Sequence, residues 1–152
     1  MHGWVILSER KGSVMKIFHM LSVTAILIIL TSCQSLHEKN VSDDFDRGSK
    51  EYIHKVRWHE LEDVPLYFVS DPLREDFKKR VVAARDVQIA NYRVKNRECR
   101  PREGTAEVTL EWDYYIPPSV KLKTVEDPQR WQYFENEEKR GWMLMTLFPE
   151  FK

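Results

Sequence analysis

Two histidines, His54 and His59, are the side chains of this sequence best suited to metal binding, and Glu60 and Glu62 lie beside them. Metal ligands on one helix favour spacings of three or four residues, because those spacings place side chains on one face. A spacing of five rotates the two imidazoles about 140° apart around the helix axis. We therefore expect no metal ion and no other cofactor here, and we interpret both histidines as solvated or half-buried helix residues.

A carboxylate and two phenols are adjacent in Asp113, Tyr114 and Tyr115. An Asp base and a Tyr hydrogen-bond donor can together act on an enolisable substrate. Neighbouring side chains of a strand, however, point to opposite faces. Asp113 falls on the polar side of the local alternation and Tyr114 on the apolar side. We therefore expect Asp113 to be solvated and Tyr114 to lie in the core. The two side chains can share one pocket only if the strand contains a bulge.

Four aromatic residues of the predicted sheet form a candidate ligand groove: Trp112, Tyr114, Trp131 and Trp142. The three tryptophans fall on three different predicted strands, an arrangement that can line one surface. The alternative is that these residues supply the bulk of a small core, since each aromatic side chain buries a large area. The sequence leaves both interpretations open.

Cys99 lies near a turn and has neither a neighbouring His nor a CxxC partner, so motifs for nucleophilic or redox chemistry are absent around it. Arg97, Arg100 and Arg102 flank it, and such cations lower the pKa of a thiol. A reactive or pairing thiol is one interpretation. An idle surface cysteine is the other.

The charge balance argues against a nucleic-acid partner. The 152 residues carry 24 Lys and Arg against 24 Asp and Glu, whereas nucleic-acid binding requires a strong basic excess. One basic cluster does occur on a predicted helix, at Lys78, Lys79, Arg80 and Arg85. We interpret it as a solvated face, the alternative being contact with lipid headgroups or an acidic partner.

Helices are predicted in the first half of the chain, where they carry the histidines and the basic cluster. Apolar residues recur at helical spacing over 48–62 and 64–69, with Pro65 marking the break between them. A third helix is predicted through 73–85, because Pro72 is compatible with a first helical turn.

After Asp86 the apolar period changes to two, which predicts strands. The first covers residues 87–94, with an irregularity near Ala90, and the clearest covers 106–116 with one dry and one wet face. A third strand begins at Val120 and continues to residue 133, so Pro128 requires a bulge or an edge position. The last, over 142–148, is apolar on both faces and is therefore covered on both, or lies against a pocket.

Helices followed by a curved antiparallel sheet of about four strands define an α+β fold. This element order resembles the cystatin-like α+β roll, which includes the nuclear transport factor 2-like superfamily, over about residues 48–150. The resemblance implies a sheet that wraps the helices and often encloses an apolar pocket.

The N-terminal part of the chain has the features of a secretory leader. Residues 17–30 are mostly apolar and contain no carboxylate, Lys or Arg, and Lys16 precedes them. This stretch is shorter than the roughly 20 residues of a membrane-spanning helix, and its length fits a signal peptide. Alternatives are a simple secretory signal with an incidental cysteine and a short uncleaved anchor.

The run Leu30-Thr31-Ser32-Cys33 resembles the lipobox of bacterial lipoproteins. The resemblance implies cleavage before Cys33 and diacylglycerol on its sulfur, so that lipid holds the protein on a membrane. Gln34 follows, where Asp would imply retention in the inner membrane, so the resemblance implies an outer-membrane location facing the periplasm. Removal of residues 1–32 leaves 21 basic and 23 acidic residues, a net charge of −2.

The remaining segments complete the predicted organisation. The charged residues 9–11 precede the apolar run, so we expect translation to start at Met15 and residues 1–14 to be an upstream extension. We expect residues 15–32 to be the signal peptide and 33–47 to be the lipidated cysteine followed by a flexible polar tether. Residues 48–152 then form a single α+β domain.

We expect a non-catalytic binding or accessory module of the cell envelope, because the chain has a membrane anchor and no recognisable catalytic set. Its partner would be an envelope protein or an apolar ligand. The alternatives are a small pocket enzyme of the roll type and a purely structural lipoprotein. A cavity inside the fold favours ligand binding or catalysis, whereas a filled core favours contact with a protein.

Overall fold

The computed structural model describes residues 35–136 and 140–152. The predicted signal peptide and Cys33 lie outside these residues. Residues 39–152 form one compact unit. Among the described residues, no helix is both long and apolar enough to cross a bilayer.

Helix α1 covers residues 35–57, so the prediction of a flexible tether through residue 47 is wrong. The segment looks polar because its apolar residues are sparse, but their spacing places them on one face of the helix. The buried residues of α1 are Val41, Phe45, Ser49, Tyr52, Ile53 and Val56. The domain therefore begins well before residue 48.

The first helix also ends earlier than predicted, and His59 shows why. His59 has a φ of 60°, and the Glu60 N–H donates to the Lys55 carbonyl over 2.9 Å. A left-handed residue with such a bond closes a helix as a Schellman motif. The prediction that the helix continues through 62 is therefore wrong.

Two short helical segments and one longer helix follow. Helix α2 is Val64–Tyr67, with Pro65 in its first turn, a 3-10 turn covers Asp71–Leu73, and helix α3 is Arg74–Ala83. The predicted third helix is thus confirmed over most of its length. Phe77 is its fully buried residue.

Four antiparallel strands form one sheet in the order β1-β2-β3-β4, which confirms the predicted α+β fold. The strands are β1 Gln88–Arg100, β2 Thr105–Tyr115, β3 Lys123–Glu135 and β4 Arg140–Leu144. The register shifts between Ile89 and Asn91, as predicted near Ala90, and again between Val94 and Asn96.

Strand β2 alternates as predicted, with Ala106, Val108, Leu110, Trp112 and Tyr114 buried. The start of the third strand differs. Val120 is 84% exposed and lies before β3, because residues 116–122, which include the Pro117-Pro118 pair, form the connection between β2 and β3.

Strand β4 is shorter than predicted, because the chain leaves the sheet after Leu144. Phe148 is instead buried against Phe77, with ring centroids 5.4 Å apart. Phe151 packs against Tyr114 at 4.9 Å. These aromatic contacts draw residues 146–152 away from the edge of β3.

Candidate functional site

An open cleft of about 620 Å³ lies beside strand β3. Residues 125–128 and 145–147 line it, together with Leu73 and Arg80 from the helical segments. We call this feature the β3 cleft. Its volume is in the range of small-molecule sites.

The edge of β3 is open in the cleft because β4 pairs only with Trp131–Glu135. The Met145 N–H donates to the Arg130 carbonyl over 2.7 Å, while the Tyr133 N–H donates to Gly104 on the β2 side. Backbone groups of successive strand residues alternate in direction. Thr124, Glu126 and Pro128 therefore face the same edge as Arg130.

Among the described residues, no backbone group bonds to this edge between Thr124 and Pro128. Pro128 has no N–H, so an edge position costs it no hydrogen bond. The edge alternative predicted for this proline is confirmed. What remains is a short row of backbone donors and acceptors that an extended chain can bond.

Arg80 fixes one side of the cleft. Its Nη1 donates to the Phe148 carbonyl over 2.9 Å, and its Nη2 lies 3.0 Å from Glu150 Oε1. Residues 148–150 are thus held by helix α3 as well as by their aromatic anchors. This wall of the cleft is therefore held in place by the contacts of Arg80 with Phe148 and Glu150.

Behind the cleft lies a buried carboxyl group, Asp127, which is 3% exposed. Its Oδ2 accepts hydrogen bonds from Trp112 Nε1 at 3.1 Å and from Gln129 Nε2 at 2.6 Å. Trp131 Nε1 donates in turn to Gln129 Oε1 at 3.1 Å. Burial raises the pKa of Asp127 to about 6, although the hydrogen bonds from Gln129 and Trp112 act to lower it.

Tyr52 of helix α1 lies close to this network. Its ring packs edge-on against Trp131, with centroids 5.5 Å apart, and its buried hydroxyl has no hydrogen-bond partner. Burial, with a smaller contribution from the charge of Asp127, raises the pKa of Tyr52 well above its usual range. A sealed phenol of raised pKa cannot serve as a proton donor to an outside substrate.

The four residues of the candidate groove are part of the core and leave no open groove between them. Trp112, Tyr114, Trp131 and Trp142 are all buried. Their polar atoms are bonded inside the protein. Trp142 Nε1 donates to the Val41 carbonyl over 2.9 Å, and the Tyr114 hydroxyl donates to the Lys152 carbonyl. Of the two interpretations that the sequence left open, the structure favours the core.

Asp113 and Tyr114 point to opposite faces, as predicted. Arg93 Nη1 donates to Asp113 Oδ2 at 2.7 Å, and Arg93 also bonds Glu111 across the sheet. The bonds from Arg93 and then from Thr124 lower the pKa of Asp113. Asp113 is therefore a fixed anion on the outer face of the sheet, which makes it a poor general base.

The other sequence candidates do not converge on a site. His54 and His59 are exposed, and the described residues contain no group of metal-ligating side chains. Lys78 and Lys79 pair with Glu75 and Asp76 on their own helix, which favours the interpretation of a solvated face.

Cys99 is free and partly buried. Burial raises the pKa of the Cys99 thiol and outweighs the lowering effect of Arg97, so the net shift is upward. Arg97 is bonded to Asp46 at 2.5 Å and Arg100 to Glu98 at 2.8 Å. Their charges are therefore largely compensated by their own partners.

Sequence reasoning missed Asp127 and Gln129, although a signal was present. Both share the parity of Trp131 and Tyr133 in β3, so the strand period places them on the dry face. The arrangement as a whole offers an apolar cleft with a free strand edge and a buried acid behind it. It contains no pairing of nucleophile and base.

No known family model matches the chain, and comparisons with curated proteins and with solved structures find no significant similarity.

Proposed function

We propose that this chain is the precursor of a bacterial lipoprotein whose mature domain binds a partner protein of the cell envelope and does not catalyse a reaction. The lipobox-like run ending at Cys33 supports the anchor, and Gln34 supports an outer-membrane location facing the periplasm. The binding site is the β3 cleft.

The binding role is supported by a difference between two sides of β3, of which one is filled by core side chains and the other is open. Trp112, Trp131, Tyr52 and Phe45 fill the inner face of the sheet, where a roll-type enzyme would hold its substrate. The free space lies outside, beside an unpaired strand edge. An edge of this kind suits an extended polypeptide, which supplies matching backbone groups.

The alternative of a pocket enzyme rests on Asp127, whose raised pKa is typical of functional sites. Its carboxyl oxygen is already occupied by Trp112 and Gln129, and the nearby phenol of Tyr52 is sealed. These contacts favour a structural role for the acid.

Site-specific photo-crosslinking in intact cells tests the proposal. A photoreactive residue at Glu126 or Arg130, both exposed in the cleft lining, is expected to give the same discrete protein adduct. The matched control is Glu51, which is exposed on helix α1. Competition by the wild-type protein should remove the adduct, whereas equal labelling at Glu51 or none at either cleft position favours a purely structural lipoprotein.

A further inference from the structure

Both β-hairpin turns lie at one end of the sheet. The β1–β2 turn covers residues 101–104, and the β3–β4 connection joins Glu135 to Arg140 at the same end of the sheet. We call this the hairpin end. The opposite end, with the 116–122 connection, is the distal end.

Helix α1 enters the compact unit at the hairpin end. The Val41 carbonyl accepts the bond from Trp142 Nε1, and Phe45 packs on Trp142 with ring centroids 4.9 Å apart. Trp142 is on β4, next to the β3–β4 connection. Arg97, near the end of β1, bonds Asp46 and lies 5.0 Å from the Phe45 ring.

Helix α1 runs antiparallel to β1. Its later residue Arg57 lies 5.8 Å from the ring of Tyr92, near the start of β1, whereas its earlier residue Asp46 contacts Arg97. Lower-numbered residues of α1 are thus progressively nearer the hairpin end.

Chain length limits how far the domain lies from Cys33. Six peptide steps separate Cys33 from Lys39, where the compact unit begins, and they span at most roughly 21 Å when fully extended. Strand β2, Thr105–Tyr115, separates the two ends of the sheet, and at about 3.3 Å per residue it is roughly 33 Å long. The link is therefore too short to carry Cys33 past the distal end.

We propose that this short link holds the hairpin end against the lipid headgroups and turns the distal end away from the membrane. The inference rests on the proposed lipid attachment at Cys33. The short link does not depend on charge attraction, and Arg97, Arg100 and Arg140 are paired with Asp46, Glu98 and Glu135.

The distal end then presents its exposed apolar side chains to the periplasm. Val120 is 84% and Trp58 61% exposed, and Leu122 lies beside Val120 in the same connection. This orientation keeps these apolar side chains out of the lipid.

Collisional quenching in vesicles tests the orientation. The full-length lipidated protein, with Cys99→Ser, receives one fluorophore at Glu103→Cys on the hairpin end or at Val120→Cys on the distal end. Both positions are exposed. The vesicles contain phosphatidylethanolamine and phosphatidylglycerol with a headgroup-attached nitroxide.

Quenching is expected to be several-fold stronger at position 103 than at 120, and equal or reversed quenching would overturn the proposal. A 12-residue Gly-Ser spacer between Gln34 and Ser35 adds roughly 19 Å of reach. It should bring quenching at 103 towards the level at 120, and undiminished quenching would also overturn the short-link explanation.

Lipidation is measured separately on the same samples. A Cys33 that carries lipid has no free thiol, so it takes up no maleimide and shows the mass of the acylated form. Absence of that mass contradicts the proposed anchor, whereas acylation with equal quenching contradicts only the orientation.

Discussion

Asp127 and Asp113 show how one residue type serves opposite roles on the two faces of one sheet. Burial raises the pKa of Asp127 to about 6, whereas bonds from Arg93 and Thr124 lower the pKa of Asp113. The two carboxyl groups therefore make stability depend on pH in opposite directions.

The replacement Asp127→Asn is expected to stabilise the domain increasingly as pH rises from about 4 to 6. In that range the unfolded chain, with an Asp pKa near 3.9, binds fewer protons than the folded one, so the wild-type free energy of unfolding falls. A difference of about two pKa units between the folded and the unfolded chain corresponds to about 3 kcal/mol in the free energy of unfolding. Asparagine keeps an acceptor for Trp112 and Gln129, and denaturant unfolding between pH 4 and 8 measures the difference.

The control is Asp113→Asn on the outer face of the sheet. The lowered pKa of Asp113 gives stability that is present above its unfolded pKa and lost as pH falls, so this variant should be destabilised at pH 7. If the free energy of unfolding of Asp127→Asn instead changes with pH as that of the wild type does, the carboxyl group of Asp127 ionises normally in the folded protein.

At the scale of elements, helix ends and strand ends were the parts that the sequence predicted least well. The periodicity of β2 predicted its buried residues, and the predicted third helix is present with Phe77 buried. The boundary at His59 was missed, because nothing in the local pattern marks a non-glycine residue in the left-handed conformation.

The replacement His59→Gly is expected to stabilise the domain by about 1 kcal/mol. Left-handed backbone costs a residue with a Cβ roughly 1–2 kcal/mol, and glycine offsets part of that gain through its greater unfolded-state freedom. His59 has φ 60° and an exposed side chain, so little packing is lost.

The same substitution five residues earlier is its matched control. His54 is exposed within helix α1, so His54→Gly should destabilise by about 1 kcal/mol, the cost of glycine in a helix interior. Thermal unfolding of the two variants should therefore shift in opposite directions. A loss of stability in both would mean that His59 is not a left-handed helix terminus in solution.

The tether and the candidate site were less predictable because they depend on long-range packing. Residues 35–47 have few apolar side chains, and Phe45 becomes a core residue only because Trp131 and Trp142 meet it from distant strands. The β3 cleft likewise arises where Phe148 and Phe151 draw the chain away from the sheet. Neither contact has a local signal in the sequence.

At the scale of the whole molecule, the helical segment after Cys33 changes how the proposed anchor acts. A flexible tether would have lifted the domain and left its orientation free. The compact unit begins at Lys39, so a lipid attached at Cys33, as we propose, would hold it near the bilayer. Under this proposal, membrane attachment and orientation would both depend on Cys33.

The replacement Cys33→Ala is expected to leave an unprocessed precursor without lipid, because alanine has no sulfur to accept diacylglycerol. Each buried CH₂ of an acyl chain contributes about 0.8 kcal/mol, and two chains suffice for stable anchoring. Cys99→Ala removes the other cysteine and should leave processing and anchoring intact. Electrophoretic mobility and mass of the membrane-bound protein measure both, and normal processing of Cys33→Ala would remove the lipoprotein proposal while leaving the β3 cleft as a site to test on a free domain.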